Sequence, residues 1–261
     1  MIIDFHTHCF PEKIADRAIK TLSHNSAMLS TTDGTKEGLI KCMDEDGVDI
    51  SVVLNISTNA KQQTAVNNFA ASIQSDRIIS FGSVHPDSPD VLEELERISE
   101  LGLKGVKFHP EYQNFYVDDE KMRPIYKKIS DLGLITLFHA GEDIGYKPPY
   151  HCPAERLKKA LSWFSSPVVA AHLGGLGSSV EVLKHLCGRD LYLDMAFTYA
   201  NVSKPLISDI LEKHGIDKIL FGSDCPWHRP SWEQVTVECM NLNDEEKEKI
   251  YYKNAKTLLN L

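Results

Sequence analysis

The stretch IIDFHTH (residues 2–8) decides the fold, because an apolar run ends there in two histidines separated by one residue. Three later stretches repeat an apolar run closed by a histidine: LKGVKFH (103–109), LITLFH (134–139) and PVVAAH (167–172). Runs that are apolar at nearly every position are typical of strands buried on both faces of a parallel sheet. The pattern therefore predicts a parallel sheet whose polar residues gather at the carboxyl ends of its strands.

Eight apolar runs recur along the chain, and longer stretches with helical spacing separate them. The predicted strands are Ile2–His6, Val48–Leu54, Ile78–Val84, Leu103–His109, Leu134–His139, Pro167–His172, Leu191–Met195 and Lys218–Phe221. Helices are expected between them. Strands that alternate with helices predict an α/β fold, here a single (β/α)8 TIM barrel that spans residues 1–261 as one domain.

Local signals place several helix ends. Ser88 is the expected N-cap of one helix, and Asn243 opens the C-terminal helical stretch. Gly102 and Gly133 suit helix C-termini. Two connections, residues 23–36 and 140–153, are longer than a barrel requires, so we expect them to contribute substrate contacts.

Eight parallel strands would also suit an open, doubly wound sheet, and periodicity alone does not separate the two folds. No strand is followed by GxGxxG or GxxxxGK[ST], the phosphate-binding signatures of open folds. Polar residues instead end several different strands, as in a barrel, where the loops after the strands surround one cavity. The sequence therefore favours the closed barrel.

Composition narrows the class of protein. The 261 residues are 42% hydrophobic and 25% charged, as in globular proteins, and the net charge of −9 comes without any basic run able to follow a phosphate backbone. The longest apolar runs are far too short to cross a bilayer, and no signal peptide is recognisable. We expect a cytoplasmic protein with six reduced cysteines and neither nucleic acid nor membrane as partner.

Six of the eleven histidines lie at the carboxyl end of a predicted strand, either as its last residue or just beyond it: His6, His8, His85, His109, His139 and His172. His6 and His8 point to the same face of an extended backbone, at a spacing that permits shared metal ligation. His139 is the best candidate for a third ligand. Closure of a barrel would bring Asp224, after the last strand, beside the first pair, where its carboxylate can bind metal and accept a proton. His172 lies between these positions, where it could bind a second metal or polarise water.

The combination of these residues resembles the amidohydrolase superfamily from end to end. Flanking residues sharpen the resemblance to the amidohydrolase-related (amidohydrolase 2) branch that includes aminocarboxymuconate-semialdehyde decarboxylase. The stretches that carry it are DFHTH (4–8), GVKFHP (105–110), HAG (139–141), AHLGG (171–175), FGSD (221–224) and NA (254–255). The resemblance implies that His6, His8, His139 and Asp224 bind a divalent metal, usually zinc, and that His172 orients the bound water.

The chain departs from larger members of the superfamily in two ways. The histidine pair falls within the first eight residues, so we expect the barrel without an accessory β-sandwich. Members with two metals bridge them through a carboxylated lysine or a glutamate on the fourth strand, where this chain has Lys107. We expect one Zn²⁺, as is commoner in this branch. Manganese, cobalt or iron could replace zinc. A second metal, bridged through a carboxylated Lys107, is the other alternative.

Three further residues are expected to contact substrate: Lys107, because a buried lysine is rare without a partner, His109 on the same strand, and Trp227 at the cavity mouth. Lys107 together with Arg229 could bind a substrate carboxylate. Glu142 and Asp143 are expected to form a solvated acidic loop.

The site predicts a metal-dependent hydrolase in which Asp224 and His172 are catalytic and activated water attacks a small amide, lactone or cyclic carboxylic acid. The alternative is a nonoxidative decarboxylase or hydratase of an unsaturated carboxylic acid. A TatD-like metal nuclease fits less well, because its glutamate near the third or fourth strand is absent and the net charge is negative. A non-enzymatic binding barrel is disfavoured, because all five expected site residues are intact. The expected partner is a small molecule, and a homodimer stays open.

Overall fold

Eight short parallel strands form the centre of the molecule in the computed structural model, which describes all 261 residues. They are β1 (Ile3–Thr7), β2 (Ile50–Leu54), β3 (Ile78–Phe81), β4 (Gly105–Phe108), β5 (Ile135–Phe138), β6 (Val168–Ala170), β7 (Tyr192–Asp194) and β8 (Ile219–Leu220). All eight predicted strands are present, with ends that differ from prediction by at most three residues. Nearly every position is buried, as expected for strands covered on both faces.

The strands pair in the order of the chain and close into a barrel. Regular ladders join β1 to β3 and β4 to β8. Backbone hydrogen bonds close the two remaining seams: Gly82 N–H donates to Gly105 at 2.9 Å between β3 and β4, and Phe5 N–H donates to Phe221 at 2.9 Å between β1 and the end of β8. The predicted (β/α)8 barrel is therefore confirmed.

The helices alternate with the strands and cover the outside of the barrel. They are α1 (Glu12–Ser26), α2 (Lys36–Asp46), α3 (Gln63–Ser72), α4 (Val91–Glu100), α5 (Pro110–Gln113), α6 (Arg123–Asp131), α7 (Ala154–Ala160), α8 (Ser179–His185), α9 (Lys204–His214), α10 (Pro230–Cys239), α11 (Asp244–Glu248) and α12 (Asn254–Leu259). No helix combines the length and the apolar character that a membrane crossing needs.

Two local predictions are wrong, whereas those for Asn243, Gly102 and Gly133 are confirmed, since each glycine comes just after the end of a helix and has a positive φ angle. Ser88 is not an N-cap, because its hydroxyl donates to Asp90 at 2.6 Å and α4 begins after Asp90. The first long connection starts only after Ser26, since α1 continues to that residue and ends at a left-handed Ala27. Asn243 does open α11, where it forms a capping box with Glu246.

Apolar side chains fill the interior of the barrel below the strand ends. One buried cluster joins inward-facing residues such as Ile3, Phe5 and Leu137 to Leu258 and Leu259 of α12. A larger cluster lies between the strands and the surrounding helices. Helix α12 packs against the barrel interior near the starts of the strands. The polar residues lie at the other end of the barrel, where the strands end.

Candidate active site

An open cavity of about 670 Å³ lies at the carboxyl ends of the strands. Eight of the residues singled out from the sequence line it: His6, His8, Lys107, His109, His139, His172, Asp224 and Trp227. They converge because parallel strands of a closed barrel all end at the same rim. The candidate site is this cavity.

Asp224 contacts two histidines, His6 in β1 and His8 just after this strand. Its Oδ1 is 3.3 Å from His6 Nε2 and 3.2 Å from His8 Nε2. The ligand atoms of these three residues all lie within 4.8 Å of one another.

The Nδ1 atoms of His6 and His8 are both hydrogen-bonded, and this fixes Nε2 as the nitrogen that faces the cavity. His6 Nδ1 contacts Asp194 Oδ2 at 2.9 Å, and His8 Nδ1 donates to the Leu54 carbonyl at 2.8 Å. With a proton on each Nδ1, both Nε2 lone pairs point toward Asp224. Burial lowers the pKa of His6 well below its usual value, so this ring stays neutral, as a metal ligand must.

His139 and His172 form a second pair of converging lone pairs. His139 Nε2 donates to the Glu142 carbonyl at 3.0 Å, and His172 Nδ1 donates to the Ala196 carbonyl at 3.1 Å. The remaining nitrogens, His139 Nδ1 and His172 Nε2, face each other at 3.1 Å. Two lone pairs at that distance repel unless a cation or proton lies beside them. This donor set therefore fits a divalent metal.

The group of His6, His8 and Asp224 is adjacent to the pair of His139 and His172, but the five residues do not form one compact set of ligands. The ring centroids of His6 and His172 are 5.1 Å apart. His139, however, is not in the group formed by His6, His8 and Asp224, and its ligand atom groups instead with His109 and Asp143. The structure thus brings together three of the four predicted metal ligands and places the fourth behind His172.

Two residues of the cluster and the neighbour of one of them have unusual backbone angles. Asp224, His172 and Leu173 adopt positive φ angles of 71°, 59° and 52°. Non-glycine residues rarely adopt such angles, and they cluster at functional sites. Asp4 secures the strained turn before Asp224, because its carboxylate accepts the Ser223 amide at 2.9 Å and the Ser223 hydroxyl at 2.5 Å.

Asp194 is a site residue that the sequence reasoning missed. It ends β7 with no exposed surface, and besides His6 its carboxylate accepts the amides of His172 at 2.9 Å and Ala196 at 3.1 Å. Burial raises the pKa of Asp194. The available signal was an aspartate in the apolar stretch LYLDM (191–195), since a carboxylate inside a buried strand needs partners.

Lys107 is on the floor of the cavity, only 1% exposed. Its Nζ is 3.5 Å from His6 Nε2, and no carboxylate lies within ion-pair distance. Burial lowers the pKa of Lys107 from 10.5 to about 8. The structure thus places an unpaired amino group beside the histidine cluster.

Asp143 corrects the expectation of a solvated acidic loop. It is only 8% exposed, and its Oδ2 lies 3.3 Å from His109 Nε2 and 3.8 Å from His139 Nε2. His109 is stacked between Tyr112 and His139, with ring centroids 3.6 Å and 4.2 Å away. The loop after β5 therefore brings a carboxylate into the cavity wall, because it folds back over the barrel.

Arg229 does not reach the cavity, so the prediction that it binds substrate together with Lys107 is wrong. Its guanidinium pairs with Asp46 at 2.7 Å and Glu45 at 2.9 Å, at the end of α2. Trp227, two residues earlier, does line the cavity, as predicted.

Apolar side chains make up much of the remaining wall. They come from α1 and the residues around it, from α3, and from the loop after β7: Phe10, Ile14, Leu22, Met28, Val66, Phe69 and Phe197. A ligand in this cavity would have polar groups against the floor and apolar surface against the sides.

Comparison with known proteins agrees with the fold. The family model described as Amidohydrolase matches residues 3–261. None of the curated proteins matches the sequence. An uncharacterized TIM-barrel protein from Bordetella bronchiseptica is similar in structure, with 19% identity, a TM-score of 0.77, and alignment over 99% of this chain and 98% of that one.

Two similar structures are decarboxylases. The 2,6-dihydroxybenzoate decarboxylase from Rhizobium has 16% identity and a TM-score of 0.71 over 99% of this chain and 98% of its own. The 5-carboxyvanillate decarboxylase from Novosphingobium aromaticivorans, complexed with manganese, has 16% identity and a TM-score of 0.72 over 100% of this chain and 96% of its own. At these identities the similarity establishes the barrel fold.

Proposed function

The chain belongs to the amidohydrolase family of metal-dependent enzymes, and on that premise we propose that it decarboxylates a small cyclic, aromatic or unsaturated carboxylic acid. The observation that carries the proposal is the unpaired amino group of Lys107, buried on the floor of a largely apolar cavity beside the histidine cluster. A cation in such a position favours an acidic substrate. The decarboxylases among the similar structures support the preference for decarboxylation over hydrolysis.

In this proposal His6, His8, His139 and Asp224 hold one divalent metal. Zinc suits three imidazoles and a carboxylate, and manganese is the alternative, since a similar decarboxylase binds it. The metal supplies positive charge that stabilises negative oxygen atoms on the substrate or acidifies bound water. Asp194 supports the ligand set, because its bond to His6 Nδ1 orients the ring.

The residues of the chain then divide the remaining work. Lys107 binds a negatively charged oxygen of the substrate and stabilises the charge that develops when the carbon–carboxylate bond breaks. The electron pair stays on the carbon, which takes up a proton as CO₂ leaves. His172 Nε2 and Asp224 Oδ1 are the atoms that can carry this proton, since His172 Nδ1 is engaged with Ala196. Apolar walls, including Phe69 and Phe197, exclude water.

Hydrolysis of a lactone or cyclic amide is the second candidate. Asp224 Oδ1 lies beside two imidazole nitrogens, where it is placed to accept a proton from an attacking water. Lys107 would then stabilise the oxyanion that forms on the carbonyl oxygen. The two reactions use the same residues and differ in the product that leaves.

The test is to incubate zinc- or manganese-loaded protein with cyclic, aromatic and unsaturated carboxylic acids and with lactones. CO₂ release and acid release are measured in parallel. Decarboxylation predicts CO₂ release, lowered about 10²–10⁴-fold in Asp224→Asn and His172→Asn but unchanged in His24→Asn, a helical histidine that does not line the cavity. Acid release from lactones without CO₂ would transfer the proposal to hydrolysis. Full turnover in Asp224→Asn would contradict both.

A further inference from the structure

Helix α1 presents one face to the cavity. Ile14, Ala18, Thr21 and Leu22, spaced four, three and one residues apart, all line the cavity, as expected for one stripe of a helix. Arg17 belongs to the same stripe and also lines the cavity. A cavity-facing helix surface of mostly apolar and small residues thus carries one permanent positive charge.

Arg17 has no partner within the chain. Every other arginine donates a hydrogen bond or forms an ion pair: Arg77, Arg97, Arg123, Arg156, Arg189 and Arg229. The helix offers Arg17 no acid, because residues three and four positions away are Lys13, Ile14, Lys20 and Thr21. The adjacent Asp16 is bound by Lys20 at 2.8 Å.

The cavity therefore has two unpaired cations at different depths. Lys107 is buried at the floor beside His6, whereas Arg17 is exposed on the outer wall. The chain as a whole carries a charge of −9, so the unpaired guanidinium at the cavity wall is opposite in sign to the net charge of the protein. Two unpaired cations at different depths of a cavity with largely apolar walls are complementary to a molecule that carries two acidic groups.

We propose that Arg17 is a specificity-determining residue that binds a second acidic group of the substrate, distant from the reacting one. The substrate class would then be a diacid with a cyclic, aromatic or unsaturated body. This inference rests on the proposed function only for the group that Lys107 binds. Arginine suits the role because its planar guanidinium binds a carboxylate through two parallel hydrogen bonds.

The experiment measures binding rather than turnover. The zinc-loaded protein is titrated with benzoate, isophthalate and terephthalate at low ionic strength, and the dissociation constants are measured by calorimetry. The variants are Arg17→Gln and Arg17→Lys. Lys13→Gln is the matched control, because it removes the same charge from an exposed position on α1 that does not line the cavity.

We expect at least one dicarboxylate to bind the wild type about tenfold more tightly than benzoate, a typical gain from one charge-assisted pair. Arg17→Gln should remove this preference without weakening benzoate, Arg17→Lys should retain part of it, and Lys13→Gln should retain it all. Added salt should reduce the preference in the wild type, since an exposed guanidinium is screened.

The outcomes separate this inference from the proposed function. If benzoate binds, and binds more weakly in a parallel Lys107→Met variant, but no dicarboxylate is preferred or the preference survives in Arg17→Gln, the role of Arg17 is wrong and the proposed function stands. If neither benzoate nor the dicarboxylates bind the loaded protein, both fail. An equal loss in Lys13→Gln would assign the effect to net charge and overturn the role of Arg17.

Discussion

At the scale of single residues, the outer nitrogens of the histidines determine what the site can bind. His6, His8, His139 and His172 each hydrogen-bond a carbonyl or carboxylate through one ring nitrogen, leaving the other free. Such partners fix the tautomer and increase the basicity of a ligand. The carboxylate of Asp194 does this for His6 and also holds the backbone of His172, so it links the two halves of the cluster.

Replacing Asp194 tests this link. In Asp194→Asn the amide keeps a similar shape but carries no charge, so His6 loses its charged partner. We expect metal affinity to fall about 10–100-fold, the usual effect of losing such a partner. Competition with a chromogenic chelator measures it. Asp190→Asn, in the exposed turn before β7, serves as control, and equal affinity in the two variants would contradict the assignment.

Lys107 should leave a pH signature in the metal-free protein. Burial lowers its pKa from 10.5 to about 8, so between these values the unfolded chain binds a proton that the folded chain does not. Stability rises with pH wherever the unfolded state binds more protons. The unfolding free energy of the wild type should therefore rise relative to Lys107→Met between about pH 8 and pH 10.5, by about 3 kcal/mol in total.

Urea denaturation across this pH range makes the measurement. Lys104→Met is the control, because Lys104 is exposed just before β4, and its difference from the wild type should be flat across the range. A flat difference for Lys107→Met as well would mean that the buried amine is not destabilised as a cation.

At the scale of elements, prediction from sequence succeeded where the signal was local. Eight apolar runs predicted the strands, and the strand ends placed five histidines at the cavity. Contacts between distant segments could not be read in this way. The pairing of Arg229 with Asp46 and the folding of Asp143 back onto His109 depend on how a loop or a helix end lies against another element.

Glu233 joins α10 to the loop after β7, another contact of this long-range kind. It is fully buried, and its carboxylate accepts the Thr198 hydroxyl at 2.6 Å, the Tyr199 amide at 2.9 Å and His228 Nδ1 at 2.8 Å. Phe197, which lines the cavity with a φ of 64°, precedes this contact and stacks on His228. The carboxylate therefore holds a strained cavity wall in place.

Removing this carboxylate should destabilise the fold. Glu233→Ala leaves the buried amide of Thr198 and the imidazole of His228 without an acceptor, and we expect a loss of about 2–4 kcal/mol. Chemical denaturation measures the unfolding free energy, with Glu212→Ala on the exposed side of α9 as control. A loss below that of the control would show that the loop holds its conformation without Glu233.

At the scale of the whole molecule, closure of the barrel is what creates the site. The seam between β1 and β8 brings Asp224 to His6 and His8, residues more than two hundred positions apart in the chain. Apolar packing around α12 occupies the opposite end of the barrel. Stability and chemistry are thus separated along the barrel axis, as the fold commonly arranges them.

The most direct test of this account is the metal content of the chain. Protein dialysed against zinc or manganese and then freed of unbound ion is measured by elemental analysis, together with His6→Ala, Asp224→Ala and the control His24→Ala. We predict about one metal per chain in the wild type and the control, and loss of that metal in the two site variants. A wild type that retains no metal, or site variants that retain as much as the wild type, would contradict the assignment of the cluster as a metal centre.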